Sequence, residues 1–278
     1  MPDISDRRKL VDALVSIVAD ASREIMQIYG SNFDVETKAD ASPLTQADLA
    51  SHRSIKRALQ ALTPDIPVLS EESTLPEFST RQHWQRYWLV DPLDGTKEFV
   101  NRNGEFTVNV ALIEGHAATL GAVAVPVQNV IYTGDVSART AQRRDERGTH
   151  AIAARPMDSS RELIVVASRS HGGERLEQFI DALSTRFSPV SRTPIGSSLK
   201  LCILAEGRAD LYPRLGPTSE WDIAAAHAVL QAAGGAVWTF DRETLRYNTK
   251  ESLLNPEFVA VADATFDWWR SLPSVAAA

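Results

Sequence analysis

Cysteine is almost absent from this chain. Cys202 is the only one in 278 residues, so no internal disulfide can form and a reducing compartment is expected. It lies in the apolar run from Leu199 to Ala205, which reads as the setting of a buried inert thiol and not of a nucleophile. No apolar run reaches membrane-spanning length, and the N-terminus lacks a signal-peptide pattern. These absences predict a cytoplasmic protein, with attachment at the inner membrane and a homodimer both left open. A surplus of positive charge is missing too. Twenty-nine Lys and Arg face 36 Asp and Glu, for a formal net charge of -7, so no general basic surface for nucleic acid is expected. There is no internal repeat.

What is present suffices for one large or two modest domains with a sizeable core. The stretch Trp88-Leu-Val-Asp-Pro-Leu-Asp-Gly-Thr-Lys-Glu-Phe99 stands out. The apolar run from Tyr87 to Val90 reads as a buried strand ending on Asp91, because Pro92 cannot continue a central strand and Asp94-Gly95 is a turn signal. Two carboxylates, Asp91 and Asp94, thus sit where a strand gives way to a turn, a common place for ligands. Gly95 and Thr96 open the next segment with free N–H groups suited to an anion. The plain alternative is a surface turn with two solvated acids.

The remaining chain reads as alternating elements. Apolar stripes predict helices over 6–29 and about 46–62, the second with Thr45 and Asp48 spaced as a capping box. Val68-Leu-Ser70 leads to Glu71-Glu72. Strands follow over Phe106 to Ile113, Ala117 to Val125 and Val130 to Tyr132, as an antiparallel meander. Residues 134–160 read as irregular, with Arg139, Arg143, Arg144 and Arg147 in a solvated loop. Pro156 marks the expected boundary between an α+β subdomain, 1–157, and an α/β subdomain, 158–278. The second half offers a strand over Leu163 to Ala167, a polar turn with His171, a helix over about 174–184, a short helix over Leu199 to Ala205 and a strand at Ala209 to Tyr212. A strongly apolar helix then begins at Ser219-Glu-Trp-Asp222 and ends at Gly234-Gly235. Short strands close the chain, and Ser274 to Ala278 reads as a frayed tail.

Glu71, Asp91, Asp94 and Asp222 each stand at the end of an apolar strand or the start of an apolar helix. Four carboxylates converging in one pocket repel one another unless a cation neutralises them. With no Cys or His cluster beside them, the donor set favours a hard cation, Mg²⁺ before Zn²⁺. Two such ions, about 3.5–4 Å apart, stabilise the entering and leaving oxygens of a phosphoryl displacement. For Asp48 and Asp222 helix capping is the competing reading.

Glu71-Glu72, Asp91-Pro-Leu-Asp-Gly-Thr96 and Trp221-Asp-Ile-Ala-Ala225 resemble the three signatures of the inositol monophosphatase superfamily of Mg²⁺-dependent, Li⁺-sensitive phosphatases. The longer pattern, with Thr96-Lys-Glu-Phe99, Arg102-Asn-Gly-Glu-Phe-Thr-Val-Asn109, Gly196-Ser-Ser-Leu-Lys200, Tyr212-Pro-Arg214, Gly216-Pro-Thr218 and Ser252-Leu-Leu-Asn-Pro256, is similar to bacterial 3′(2′),5′-bisphosphate nucleotidases. It departs from them near 134–150, where a Gly-rich hairpin is expected, and at Ile223, where Thr is usual. The resemblance implies a layered αβαβα fold. It gives one metal to Glu71, Asp91 and the Leu93 carbonyl, and a second to Asp91, Asp94 and Asp222. Asp48 holds a third ion through water. Thr96, with Glu71 or Asp48, orients and deprotonates the attacking water, and Gly95 and Thr96 hold the scissile phosphate. His171, Ser197, Lys200 and Arg214 contact the nucleotide. The implied reaction takes adenosine 3′,5′-bisphosphate to AMP and phosphate. An inositol or sugar monophosphatase, and a non-catalytic RNA-binding or regulatory module, are the competing readings.

Overall fold

The computed structural model describes residues 6–31, 35–37, 43–167 and 173–273. The expectations for His171 and for the tail from Ser274 lie outside them.

Five layers follow from where the apolar faces point. The outer layer is α1 (Arg7–Tyr29) and α2 (Gln46–Leu62), with a small antiparallel ribbon of β1 (Val35–Thr37) and β2 (Pro43–Thr45) between them in the chain. Leu10, Leu14, Ile17, Val18 and Ile25 form the buried stripe of α1, at the spacing of a helix with one apolar face. The second layer is a sheet of seven strands in sequence order. They are β3 (Val68–Ser70), β4 (Arg86–Asp94), β5 (Thr107–Glu114), β6 (Ala117–Val125), β7 (Val130–Asp135), β8 (Thr140–Asp145) and β9 (Gly148–Ala151), with α3 (Phe78–Arg81) and α4 (Thr96–Val100) between strands. Only β3 and β4 run parallel; the remaining neighbours are antiparallel.

Two helices, α6 (Leu199–Ala205) and α7 (Glu220–Ala232), form the central layer. α7 is buried nearly all round, as a helix between two sheets must be. It lies directly on the seven-stranded sheet. A Cβ at Gly121 in β6 would fall 2.1 Å from the Ala225 carbonyl oxygen, and one at Gly134 in β7 would fall 2.4 Å from the Val229 Cα. Beyond lies a mixed sheet in the order β11-β10-β12-β14-β13, made of β10 (Leu163–Ala167), β11 (Val190–Pro194), β12 (Leu211–Arg214), β13 (Ala236–Thr239) and β14 (Phe258–Val261). Its outer face packs Val165, Leu211, Val259 and Val261 against Phe179 and Leu183 of α5 (Gly173–Leu183) and against Trp268.

Two expectations need correction. β4 runs through Pro92 to Asp94, and does not end at Asp91. Its register with β5 shifts between those two acids, Asp91 facing Asn109 and Asp94 facing Thr107. The proline sits in that bulge, where its missing N–H costs no ladder bond, and its carbonyl accepts from the Ser51 hydroxyl at 2.7 Å. Second, residues 140–151 form a hairpin at the sheet edge, not an irregular loop. Ala141 is the one buried residue of β8, so no apolar alternation announces it. Arg143 is not merely solvated: it pairs with Asp145 and, at 2.9 Å, with Glu206. β11 is an addition to the expected elements, without an apolar pattern because its residues are intermediate or exposed.

Candidate active site

β4 carries the centre of the site. By strand alternation Trp88 and Val90 face α1 and α2, while Tyr87, Leu89 and Asp91 face α7. Asp91 is 1% exposed, and its Oδ1 accepts the Leu93 N–H at 3.0 Å, so the Asp-Pro-Leu sequence closes its own small turn. Gly95 follows with φ 90°, a left-handed conformation that glycine adopts freely. A Cβ there would lie 3.2 Å from the Glu105 carbonyl oxygen. This turn directs Asp94 and Thr96 to the same end of the strand.

α7 delivers the fourth acid. Asp222 occupies its third position, and its Oδ2 accepts the Ser219 N–H at 2.9 Å. Among the described residues its other oxygen has no hydrogen-bond partner. Glu71 follows β3, its N–H bonded to the Val90 carbonyl at 3.2 Å. These four acids lie within electrostatic reach of one another. Burial, then the charges of Glu71, Asp94 and Asp222, push the Asp91 carboxyl well above the usual range. Burial and then Asp94 do the same to Asp222. Asp94 is pushed up to about 6 by burial, against the opposing pull of Lys200 and the Ser198 N–H.

The donor set is all oxygen and short of positive charge, which suits a hard divalent cation. Among the described residues no three His, Cys, Asp or Glu side chains are already gathered closely enough to hold a metal ion.

Asp48 and Thr96 meet directly. The Thr96 hydroxyl lies 3.1 Å from Asp48 Oδ1 and 3.3 Å from the Leu93 carbonyl oxygen. The Thr45 N–H and hydroxyl take the other Asp48 oxygen at 2.8 and 2.6 Å. Asp48 is thus both cap and site residue, its carboxyl raised chiefly by burial.

Two cations border the acids. Lys200 in α6 is 5% exposed, donates to the carbonyls of Ser197 at 2.6 Å and Ile195 at 3.3 Å, and lies 5.3 Å from the Tyr212 ring. Burial lowers its pKa to about 8, although Asp94 opposes that. Arg214, 8% exposed, donates to the carbonyls of Gly216 and Pro217 at 3.1 and 2.5 Å. Ser197 is at φ 45°, in the left-handed region.

Four residues that lie in the motifs but received no role by sequence reading also reach the site: Glu105, Thr107, Asn109 and Ser198. Ser198 donates its N–H to Asp94 Oδ2 at 2.6 Å. The available signal was polar residues alternating with Phe106, Val108 and Val110. Such alternation ordinarily marks a solvent face, yet Thr107 and Asn109 are 0% and 1% exposed.

Comparison with known proteins places the chain in a family. The sequence profile of the inositol monophosphatase family matches residues 6–271. The 3′(2′),5′-bisphosphate nucleotidase CysQ of Escherichia coli strain K12 is 48% identical over 252 residues, 90% of this chain and 98% of that protein. The crystal structure of CysQ from Bacteroides thetaiotaomicron, a bacterial member of the inositol monophosphatase family, aligns with a TM-score of 0.81 at 37% identity. It covers 91% of this chain and 97% of that one. The inositol monophosphatase of Anabaena, at 22% identity, shares the fold with a TM-score of 0.73 over 96% of this chain and 98% of its own. Matched by the profile over almost its whole length and by relatives over nine-tenths of it, the chain belongs to the inositol monophosphatase family.

Proposed function

We propose that this protein is a Mg²⁺-dependent phosphatase that hydrolyses adenosine 3′,5′-bisphosphate to AMP and phosphate. One observation carries the reading. Asp91, Asp94 and Asp222 share a buried, mutually repelling environment, and two cations, Lys200 and Arg214, border that same group of acids. An acidic centre for metal and reacting phosphate, with separate positive groups beside it, is what a substrate with two phosphates requires. The close similarity to proteins named 3′(2′),5′-bisphosphate nucleotidase supports the same substrate.

Glu71, Asp91, Asp94, Asp222 and the Leu93 carbonyl would hold two Mg²⁺, and Asp48 a third through water. Bound there, Mg²⁺ supplies Lewis acidity toward the phosphoryl oxygens and water. The chain's own part begins at Thr96. Its hydroxyl hydrogen is held toward Asp48, so its oxygen is left to accept a hydrogen from water. Asp48, whose carboxyl is raised by burial, then receives a proton more readily than an exposed aspartate would. The N–H groups of Gly95 and Thr96 hold the scissile phosphate. Ser197, Lys200 and Arg214, with His171, hold the 5′ side of the nucleotide. The division into a metal-bearing half, 1–157, and a substrate-contacting half, 158–278, belongs to the same proposal. It is supported by the gap between β9, ending at Ala151, and β10, starting at Leu163.

Phosphate release with Mg²⁺ from adenosine 3′,5′-bisphosphate, inositol 1-phosphate and fructose 1,6-bisphosphate tests the assignment. The nucleotide should have the highest kcat/KM. A higher value for inositol 1-phosphate would replace this reading with a sugar-phosphate one. Charge-assisted hydrogen bonds contribute about 1.5–3 kcal/mol, or roughly ten- to a hundred-fold in affinity. Lys200→Ala or Arg214→Ala should therefore lower kcat/KM for the bisphosphate by about that factor, and much less for adenosine 2′-phosphate, which lacks the second phosphate. Equal losses on both substrates would remove these two residues from the second-phosphate site.

A further inference from the structure

Three alternate residues of one extended segment bond to the same loop, residues 196–198. Glu105 Oε2 accepts the Gly196 N–H at 2.8 Å. Thr107 Oγ1 lies 2.9 Å from Ser198 Oγ, and Ser198 Oγ donates to Asn109 Oδ1 at 2.8 Å. The side-chain amide oxygen of Asn109 can only accept, so the Ser198 hydrogen points to it, and the Thr107 hydrogen is shared between Ser198 Oγ and, at 3.4 Å, Asp94 Oδ2. Thr107, Asn109 and Ser198 are all at most 2% exposed, where water cannot substitute for a lost bond. The fit is close. A Cβ at Gly196 would meet the Glu105 side chain at 2.9 Å. The loop is braced from its other side by Lys200, through the carbonyls of Ile195 and Ser197. Between these braces Ser197 is held in its left-handed conformation, which a non-glycine residue adopts only when its surroundings impose it. The Ser198 N–H on Asp94 completes the attachment.

We propose that Glu105-x-Thr107-x-Asn109 is a docking ladder that determines specificity, clamping loop 196–198 onto Asp94 so that Ser197 and Lys200 stand at a fixed offset from the acidic centre. The inference rests on the bisphosphate reading and deepens it. A monophosphate uses only the acidic centre. A substrate with two phosphates also needs the distance from that centre to the loop to be set before it binds, because ordering a loose loop subtracts from affinity. None of the three ladder residues needs to touch substrate; they act through Ser198 and Gly196, and Thr107 also through its own longer bond to Asp94.

The test compares Thr107→Val, which keeps the shape and removes the hydroxyl, with Thr107→Ser, which keeps the hydroxyl, and adds Ser198→Ala and the Thr107→Val/Ser198→Ala double variant. The readouts are kcat and KM for adenosine 3′,5′-bisphosphate and for adenosine 2′-phosphate, and amide hydrogen exchange over residues 195–200 without substrate. Thr107→Val and Ser198→Ala should each lower the ratio of the two kcat/KM values by about tenfold, mainly through KM for the bisphosphate. The double variant should do little more than either single, since both break one network. Thr107→Ser should keep the ratio within about twofold, and exchange at the Ser198 amide should quicken in Thr107→Val. Equal losses on both substrates, additive losses, or a Thr107→Ser variant as impaired as Thr107→Val would overturn the ladder's specificity role. Hydrogen exchange separates the clamp from the substrate assignment. If the wild-type protein cleaves neither nucleotide, the bisphosphate assignment fails, and unchanged exchange in Thr107→Val would sink the clamp regardless of substrate.

Discussion

Helices α2 and α7 start with the same device and use it differently. Each has a hydroxyl residue at its cap and an aspartate three positions on whose Oδ2 accepts the cap residue's N–H, from Thr45 to Asp48 at 2.8 Å and from Ser219 to Asp222 at 2.9 Å. The second oxygen makes the difference. Oδ1 of Asp48 receives the Thr96 hydroxyl, whereas Oδ1 of Asp222 has no hydrogen-bond partner among the described residues and belongs to a carboxylate that burial, then Asp94 and Glu71, raise. Capping therefore does not compete with chemistry here. It spends one oxygen to aim the other, in one helix at a hydroxyl and in the other at a cluster of acids.

The largest expected effect removes what Asp222 is aimed at. Chelation of divalent metal should abolish phosphate release and Mg²⁺ should restore it, while Ca²⁺, with longer bonds and looser geometry, should inhibit. Activity persisting in excess chelator would leave the acid cluster without its metal role. Next comes Asp222→Asn. The amide oxygen can keep the Ser219 N–H, so the cap survives, but a charge leaves the cluster. Turnover should fall at least about 10²-fold with the melting temperature nearly unchanged.

Asp48→Asn should show the opposite balance. The amide oxygen can keep the Thr45 N–H and hydroxyl, but its NH₂ then faces the Thr96 hydroxyl, which must turn its hydrogen to the Leu93 carbonyl 3.3 Å away. Exchanging hydrogen bonds to a charged carboxylate for neutral ones costs about 1 kcal/mol. The melting temperature should therefore drop while turnover falls less than in Asp222→Asn. Indistinguishable profiles of the two variants, by calorimetry and kinetics, would erase the distinction between the caps.

The last effect, read against pH, concerns the helix interiors, since each helix also buries a histidine. In α7, His227 is 2% exposed and bonds the Tyr247 hydroxyl at 2.8 Å. Burial pushes its pKa down to about 4. In α2, His52 bonds Ser70 at 2.9 Å and is also lowered, by burial and then by Lys56 and Arg53. An unfolded histidine takes up its proton near pH 6.5. Between about 6.5 and 4 the unfolded chain therefore binds more protons than the folded one. The contribution is full above that window and falls as pH drops through it, by up to about 1.4 kcal/mol per unit. His227→Gln should flatten the loss of melting temperature between pH 7 and pH 5 more than His52→Gln does. Equal flattening would mean that the two interiors are alike.

Local chemistry was legible in the sequence wherever the interaction closes within a few residues. The turn signal at Asp94-Gly95, the capping boxes at Thr45 and Ser219 and the apolar stripe of α1 depend on neighbours in the chain, so their residue types and spacings announce them. The acids of the site were legible too, because a carboxylate at the end of a buried run is costly to keep unless a cation or a donor meets it. Tertiary structure decided the rest. Pro92 stays within a strand because a bulge and the Ser51 hydroxyl receive it. Gly121 and Gly134 are required by a helix that arrives about a hundred residues later in sequence. Thr107 and Asn109 look like a solvent face until α7 and loop 196–198 cover them. Ser198 becomes a partner of Asp94 across a separation of 104 residues. A hydrogen bond at that distance leaves no periodicity in the sequence, since its geometry exists only once the two halves of the chain have packed.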